Sequence, residues 1–171
     1  MSNAHFLLER LARLSQAAGW AAGLNPAQRG ALDYLSRANR FSRAPSHVAD
    51  YLGTTRGTAS QTLQALARKR LVEAEPDPAD RRSVSYRVTA DGRALLPRSA
   101  LAAPLAALED EDRARLERTL SALLAKMVGE GRTFGLCATC RHHRPGPFCA
   151  LLDLALAAEE AGQICHEHRP V

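Results

Sequence analysis

The side chains best suited to chemistry are gathered near one end of the chain. Cys137, Cys140, Cys149 and Cys165 are its four cysteines, and His142, His143, His166 and His168 beside them are four of its six histidines. Cys137-Ala-Thr-Cys140 is a C-x2-C knuckle, a spacing that lets two thiolates take one metal ion from a tight turn. Cys149 follows the break at Pro145-Gly146-Pro147, and Cys165 is expected to follow a short helix that begins near Leu151. Three chemistries stay open for this set. Four thiolates can close a tetrahedral zinc site, the same four can hold an iron–sulfur cluster, or the thiols can be buried or redox-active without metal. Confinement of every cysteine to residues 137–165 favours a metal centre over unrelated thiols. The histidines suit surface or supporting roles at least as well as ligation. Glu159, Glu160 and Glu167 read as solvated charge.

Catalysis by such a centre is not expected. A catalytic zinc keeps one position open for water and a general base nearby. Four cysteines describe a closed site instead, and the chain holds neither H-E-x-x-H nor H-x-E. The expectation is therefore a protein that is not an enzyme, with zinc or an iron–sulfur cluster as cofactor.

The elements that must carry these cysteines are mostly helical. Aromatic residues are only 5% of the chain, so a core has to rest on Leu and Ala, which favour helices. In the first segment Phe6, Leu7, Leu11 and Leu14 share one helical face, with Glu9, Arg10, Arg13 and Gln16 opposite. Asn25 before Pro26 is an N-cap followed by proline at the first helical position, so a second helix starts there and runs to about Arg40. Pro45 or Ser46 opens a third, SHVADYL, closed by Gly53. Thr54 or Thr55 caps a fourth, in which Ala59, Leu63 and Leu66 recur at i, i+4 and i+7. Residues 71–75 and 83–89 read as strands around a turn, PDPADRR, making a hairpin with a charged tip. Leu95, Leu96, Leu101, Leu105 and Leu108 continue helically with interruptions at Pro97 and Pro104. A last long helix spans about Asp110 to Val128, with acidic residues at its N-terminus where the macrodipole favours them.

Three helices followed by a hairpin is the order of a winged helix-turn-helix. The fourth helix shows Arg56, Thr58, Ser60, Gln61 and Gln64 on the face opposite its leucines, polar and free of acids. Such a face can enter the major groove of duplex DNA, where base edges carry a unique pattern. A formal charge of +5 suits a polyanionic partner, though charge speaks to association and not to fold.

The stretch from about Ala44 to Leu95, with its core HVADYLGTTRGTASQTLQALARKRLVEAEPDPADRRSVSYRVTADGRALL (His47 to Leu96), resembles a MarR-type regulator, most specifically in the wing DPADRRS and the VTADG that follows. With flanking helices the resemblance covers roughly residues 4–129. It implies a mainly α (α+β) fold with a two-stranded wing, and an obligate homodimer built from the first and last helices of that span. It also implies a recognition helix at residues 55–70 and a wing arginine in the minor groove. On that match Thr55, Arg56, Thr58, Ser60, Gln61 and Gln64 are assigned to DNA contact, with Arg81 and Arg82 as wing arginines and Asp80 orienting one of them. The resemblance further implies a double-stranded, pseudo-palindromic operator with half-sites about 34–36 Å apart, a transcriptional regulator acting as repressor, and a small-molecule effector. Trp20, Tyr34 and Phe41 are candidate pocket walls, although single aromatics are more often core.

The domains expected are residues 1–25 for an N-terminal dimerisation helix, 26–90 for the winged helix, 91–131 for C-terminal dimerisation helices and 132–171 for the cysteine-rich tail. That tail departs from the basic family pattern, and its metal state is expected to act by packing against the dimerisation helices. Glu9, Arg10 and Arg13 interrupt any export-signal core, and Asp153 interrupts the apolar stretch from Ala150 to Ala158. No membrane partner is expected, and the expected compartment is the cytoplasm.

Overall fold

In the computed structural model, residues 3–17, 23–76, 83–96, 99–129 and 133–171 are described. The helices are α1 (Asn3–Ala17), α2 (Pro26–Arg37), α3 (Pro45–Leu52), α4 (Arg56–Arg68), α5 (Ala90–Ala94), α6 (Ala102–Ala106) and α7 (Asp110–Val128). Between α4 and α5, β1 (Val72–Pro76) and β2 (Val84–Val88) pair antiparallel, with Ala74 opposite Tyr86.

Local chemistry accounts for most of these boundaries. The Asn25 side chain accepts from Gln28 N–H at 2.8 Å and the Gln28 side chain reaches back, so the first turn of α2 is doubly capped. That helix stops at Arg37, short of the expected Arg40. Ala38 turns extended, and Asn39 caps a separate 3-10 turn at Arg40–Ser42. Gly53 ends α3 at φ +61°, a left-handed conformation that suits glycine. The VTADG segment has a clear physical role. Thr89 caps α5 by accepting from Gly92 N–H at 3.0 Å. A Cβ on Gly92 would stand 2.2 Å from the Leu71 carbonyl, so only glycine lets this helix lie against the end of β1.

One core binds the winged helix together. Ala31, Leu32, Tyr34 and Leu35 of α2 meet Val48 and Ala49 of α3, Ala59, Leu63 and Leu66 of α4, and Val72, Tyr86 and Val88 of the wing. Tyr34 is fully buried and donates to the Ser42 carbonyl at 2.6 Å; burial pushes its phenol pKa up, which keeps the proton on. Tyr34 and Phe41 are thus core residues and leave no aromatic pocket wall; Trp20 lies outside the described residues.

By contrast, α1 and α7 bury nothing. Leu11 and Leu14 of α1, and Leu120, Leu124 and Met127 of α7, stay exposed in the single chain.

The tail differs from expectation in two ways. No helix forms near Leu151. Instead β4 (His143–Arg144), β5 (Phe148–Cys149) and β6 (Leu154–Ala155) make a small meander, followed by a 3-10 helix at Ala158–Gly162. Asp153 takes φ +52° in the turn between β5 and β6, a conformation no α-helix admits. Glu160 is also not solvated. It is 4% exposed, pairs with Arg40 at 2.7 Å and caps the turn by accepting from Ala157 N–H. β3 (Gly135–Leu136) and β7 (Ile164–Cys165) pair antiparallel and close the unit.

Among the described residues no helix is long and apolar enough to cross a membrane.

Candidate functional site: a nucleic-acid face and a thiol-lined cavity

The outer face of α4 is set by its inner one. Because Ala59, Leu63 and Leu66 are buried at i, i+4 and i+7, the helix cannot rotate without exposing leucine. Arg56, Thr58, Gln61 and Gln64 are consequently exposed, and Ser60 is half-buried. Thr55 is the N-cap: its hydroxyl accepts from Thr58 N–H at 3.1 Å and lies 2.9 Å from the Thr58 hydroxyl. No acid occurs on α4, and Arg68 closes its last turn. Asp80, Arg81 and Arg82, the wing-tip assignments, lie outside the described residues. The strands that carry the tip are anchored, since Tyr86 N–H donates to the Arg43 carbonyl at 3.1 Å.

The cysteines arrive from three separate pieces of chain. Cys137 and Cys140 flank a 3-10 turn closed by Cys140 N–H to the Cys137 carbonyl, Cys149 sits on β5, and Cys165 sits on β7. All four line one cavity of about 20 Å³, with Leu151, Leu152 and Leu156 among its apolar walls. None is in a disulfide. Among the described residues, no three His, Cys, Asp or Glu side chains already stand as a closed metal cage, so the sulfurs border the cavity without meeting at one point.

The Cys137 and Cys140 sulfurs each accept from an amide. Asn39 Nδ2 donates to Cys137 Sγ at 3.4 Å and Arg169 N–H to Cys140 Sγ at 3.4 Å. The Cys137 thiol donates to Cys165, so its pKa rises, while Cys165 is pushed down to about 6 by that bond, helped by the Glu167 backbone and the Asn39 and Ser42 side chains.

The histidines divide. His168 is held on both ring nitrogens, by the Thr133 and Thr139 hydroxyls at 2.9 and 3.0 Å, and its ring lies so close to Gly135 that a Cβ there would stand 2.4 Å away. Burial lowers its pKa, so it sits neutral. His166 stacks on His47 with ring centroids 3.6 Å apart, and its Nδ1 lies 3.2 Å from the Ser42 hydroxyl. These two are structural. His142 and His143 line the thiol cavity.

Sequence reasoning missed the residues that join the tail to the winged helix. Asn39 N–H donates to the Ile164 carbonyl at 2.9 Å, and the Ser42 hydroxyl accepts from His166 N–H at 3.0 Å. Arg40 reaches Glu160 and the Ala155 carbonyl. Ile164 is itself part of the winged-helix core. The tail therefore docks on the connection between α2 and α3, where the expectation had placed it on the dimerisation helices. An Asn-x-x-Ser cap was the one local signal available, and it marks a turn without naming a partner.

Helix order, wing and polar outer helix define a winged helix-turn-helix. Residues 22–83 match the model of the MarR family. Among solved structures the chain is similar to S. aureus MepR in a complex with DNA, at 18% identity and a TM-score of 0.57, covering 74% of this chain and 96% of that one. It is also similar to CouR from Rhodococcus jostii RHA1 bound to p-coumaroyl-CoA, at 21% identity and a TM-score of 0.56 over 71% and 92% of the two chains. A MarR transcriptional regulator from Methanosarcina mazei Go1 aligns at 22% identity and a TM-score of 0.54, over 72% and 94%. No curated protein matches. The chain thus has the MarR winged-helix fold.

Proposed function

We propose that this chain is a dimeric regulator of transcription that binds duplex DNA through α4 and the wing, in the cytoplasm. The observation that carries the reading is the exposed, acid-free face of Arg56, Thr58, Gln61 and Gln64 on a helix whose other face is locked into a core. Arg56 and the glutamines are long enough to reach base edges, and Thr55 and Thr58 are short enough to let the backbone approach. The fold is shared with MepR, whose structure is a complex with DNA. The unburied apolar stripes of α1 and α7 support a dimer, because a second copy covers in an assembly what the single chain leaves open. Two copies would present two recognition helices to a pseudo-palindromic operator, and occupancy over a promoter gives repression. CouR holds a small molecule, p-coumaroyl-CoA; an effector is a finer step that follows the same fold here.

The experiment is a binding titration of the full-length protein against duplex fragments at several salt concentrations. Selection from random duplexes should yield a two-fold-symmetric site bound with a steep negative dependence of log affinity on log salt. Arg56→Ala should lower affinity for that site by about 1–3 kcal/mol. Salt-insensitive binding, or equal affinity for every duplex with and without Arg56, would overturn the reading.

A further inference from the structure

We infer that Cys137, Cys140, Cys149 and Cys165 form a four-thiolate metal centre, and that its occupancy is transmitted to the winged helix through the loop from Asn39 to Arg43. The shared chemistry is thiolate ligation of a thiophilic metal, whose source is a zinc ion or an iron–sulfur cluster. The second half of the inference rests on the DNA-binding reading above; the first half does not.

Geometry carries the centre. A knuckle, a hairpin strand and a closing strand deliver four sulfurs to one cavity from three parts of the tail. A disulfide would employ only two of them. Leu152 and Leu156 supply apolar wall beside the sulfurs, and His142, His143 and Glu167 complete the lining. Amide donors already point at Cys137 and Cys140, the bonds that stabilise sulfur when it is charged. His143 lines the cavity with its Nε2 buried and without a hydrogen-bond partner. A thiolate or sulfide charge gives that N–H an acceptor. The sulfurs do not yet meet at one point, so metal binding requires the cysteine side chains to turn inward and release their protons to solvent.

The link to the winged helix is short and continuous. Asn39 is 1% exposed, and its amide faces both ways. Nδ2 holds Cys137 Sγ, while Oδ1 accepts from Phe41 N–H at 3.2 Å and the Ser42 hydroxyl at 2.7 Å. Ser42 binds His166, next to Cys165, and the Arg43 carbonyl binds Tyr86 on the wing strand β2. Phe41 packs in one cluster with Cys137, Cys165 and Leu156. A ligand sulfur and a wing strand are thus held by the same few residues of one loop. The tail's strands are two residues long and cannot hold their places by pairing alone. Removing the metal frees the tail, and with it the loop.

The test begins with full-length protein purified anaerobically without chelator, its zinc, iron and acid-labile sulfide measured beside its visible spectrum. Colourless protein with about one zinc per chain, or brown protein with iron and sulfide, supports the centre and names its source. Cys140→Ser and Cys149→Ser, at half-buried positions that leave the fold's main core untouched, should each lose most of that metal. Wild-type protein that stays metal-free after incubation with zinc, and after incubation with ferrous iron plus sulfide, while all four thiols react freely, overturns it. The second arm compares operator affinity before and after chelator removes the metal, with an expected change of about 5- to 150-fold. An unchanged affinity overturns the coupling and leaves the centre standing. Absence of DNA binding from loaded and stripped protein alike overturns the DNA reading and the coupling together, and the metal content is still read independently.

Discussion

Helices α2 and α7 both carry an apolar stripe, and the two meet opposite fates. In α2 the stripe of Ala31, Leu32 and Leu35 is buried to within 1%. In α7 Leu120, Leu123 and Leu124 lie on a comparable stripe, yet none is buried, and Met127 is 77% exposed. The difference lies in what stands opposite. Around α2 the chain folds α3, α4 and β2 back within a few dozen residues, so its stripe is covered locally. Among the described residues no element packs over α7 in this way, and none of its residues is buried. Amphipathy states that a face must be covered; it does not state by which chain.

That comparison breaks most visibly at α7. If a second copy covers the stripe, Leu120→Asp with Leu124→Asp should leave the winged helix folded and dissociate the dimer, as read by sedimentation. Losing the paired half-site should lower operator affinity by roughly 10²–10⁴-fold. A dimer that survives both charges would remove α7 from the interface. The matching change in the covered region is Leu63→Ala, which leaves a hole in the α2–α4 core. It should cost about 2–5 kcal/mol in denaturant unfolding and leave the oligomeric state of the folded fraction unchanged. A dimer lost before the fold would show that the two regions are not independent.

The same contrast explains what was legible beforehand. Periodicity and caps located α1 to α4, and α7 was legible to its ends because acids open it and glycine closes it. The arrangement of α4 followed from Ala59, Leu63 and Leu66 alone. The tail was not readable in this way. Two-residue strands have no period, and the expected helix near Leu151 rested on apolar composition that the Asp153 turn overrides. Its docking was less visible still. Asn39 meets Cys137 across 98 positions and Ser42 meets His166 across 124, and no local rule links residues so far apart. The cysteines were expected to act together, and the fold brings all four to one cavity; the elements that carry Cys149 and Cys165 there were not foreseen.

Smaller in magnitude, but sharper as a test, is Thr55, which the sequence offered both as a helix cap and as a DNA contact and which the structure uses as the cap. Its hydroxyl accepts from Thr58 N–H, so Thr55→Ala should cost about 1 kcal/mol of stability through the cap alone. Thr55→Ser keeps the accepting oxygen and should restore that stability. The two variants separate the roles because DNA affinity is measured on the folded fraction. If Thr55→Ala loses stability and operator affinity while Thr55→Ser recovers both, the hydroxyl serves the helix start, and contact follows from its placement. If Thr55→Ser recovers stability but not affinity, the methyl group itself meets the DNA, as it can against a thymine methyl. If Thr55→Ala weakens neither, the recognition helix begins firmly without it, and Arg56 and Gln61 must account for the face.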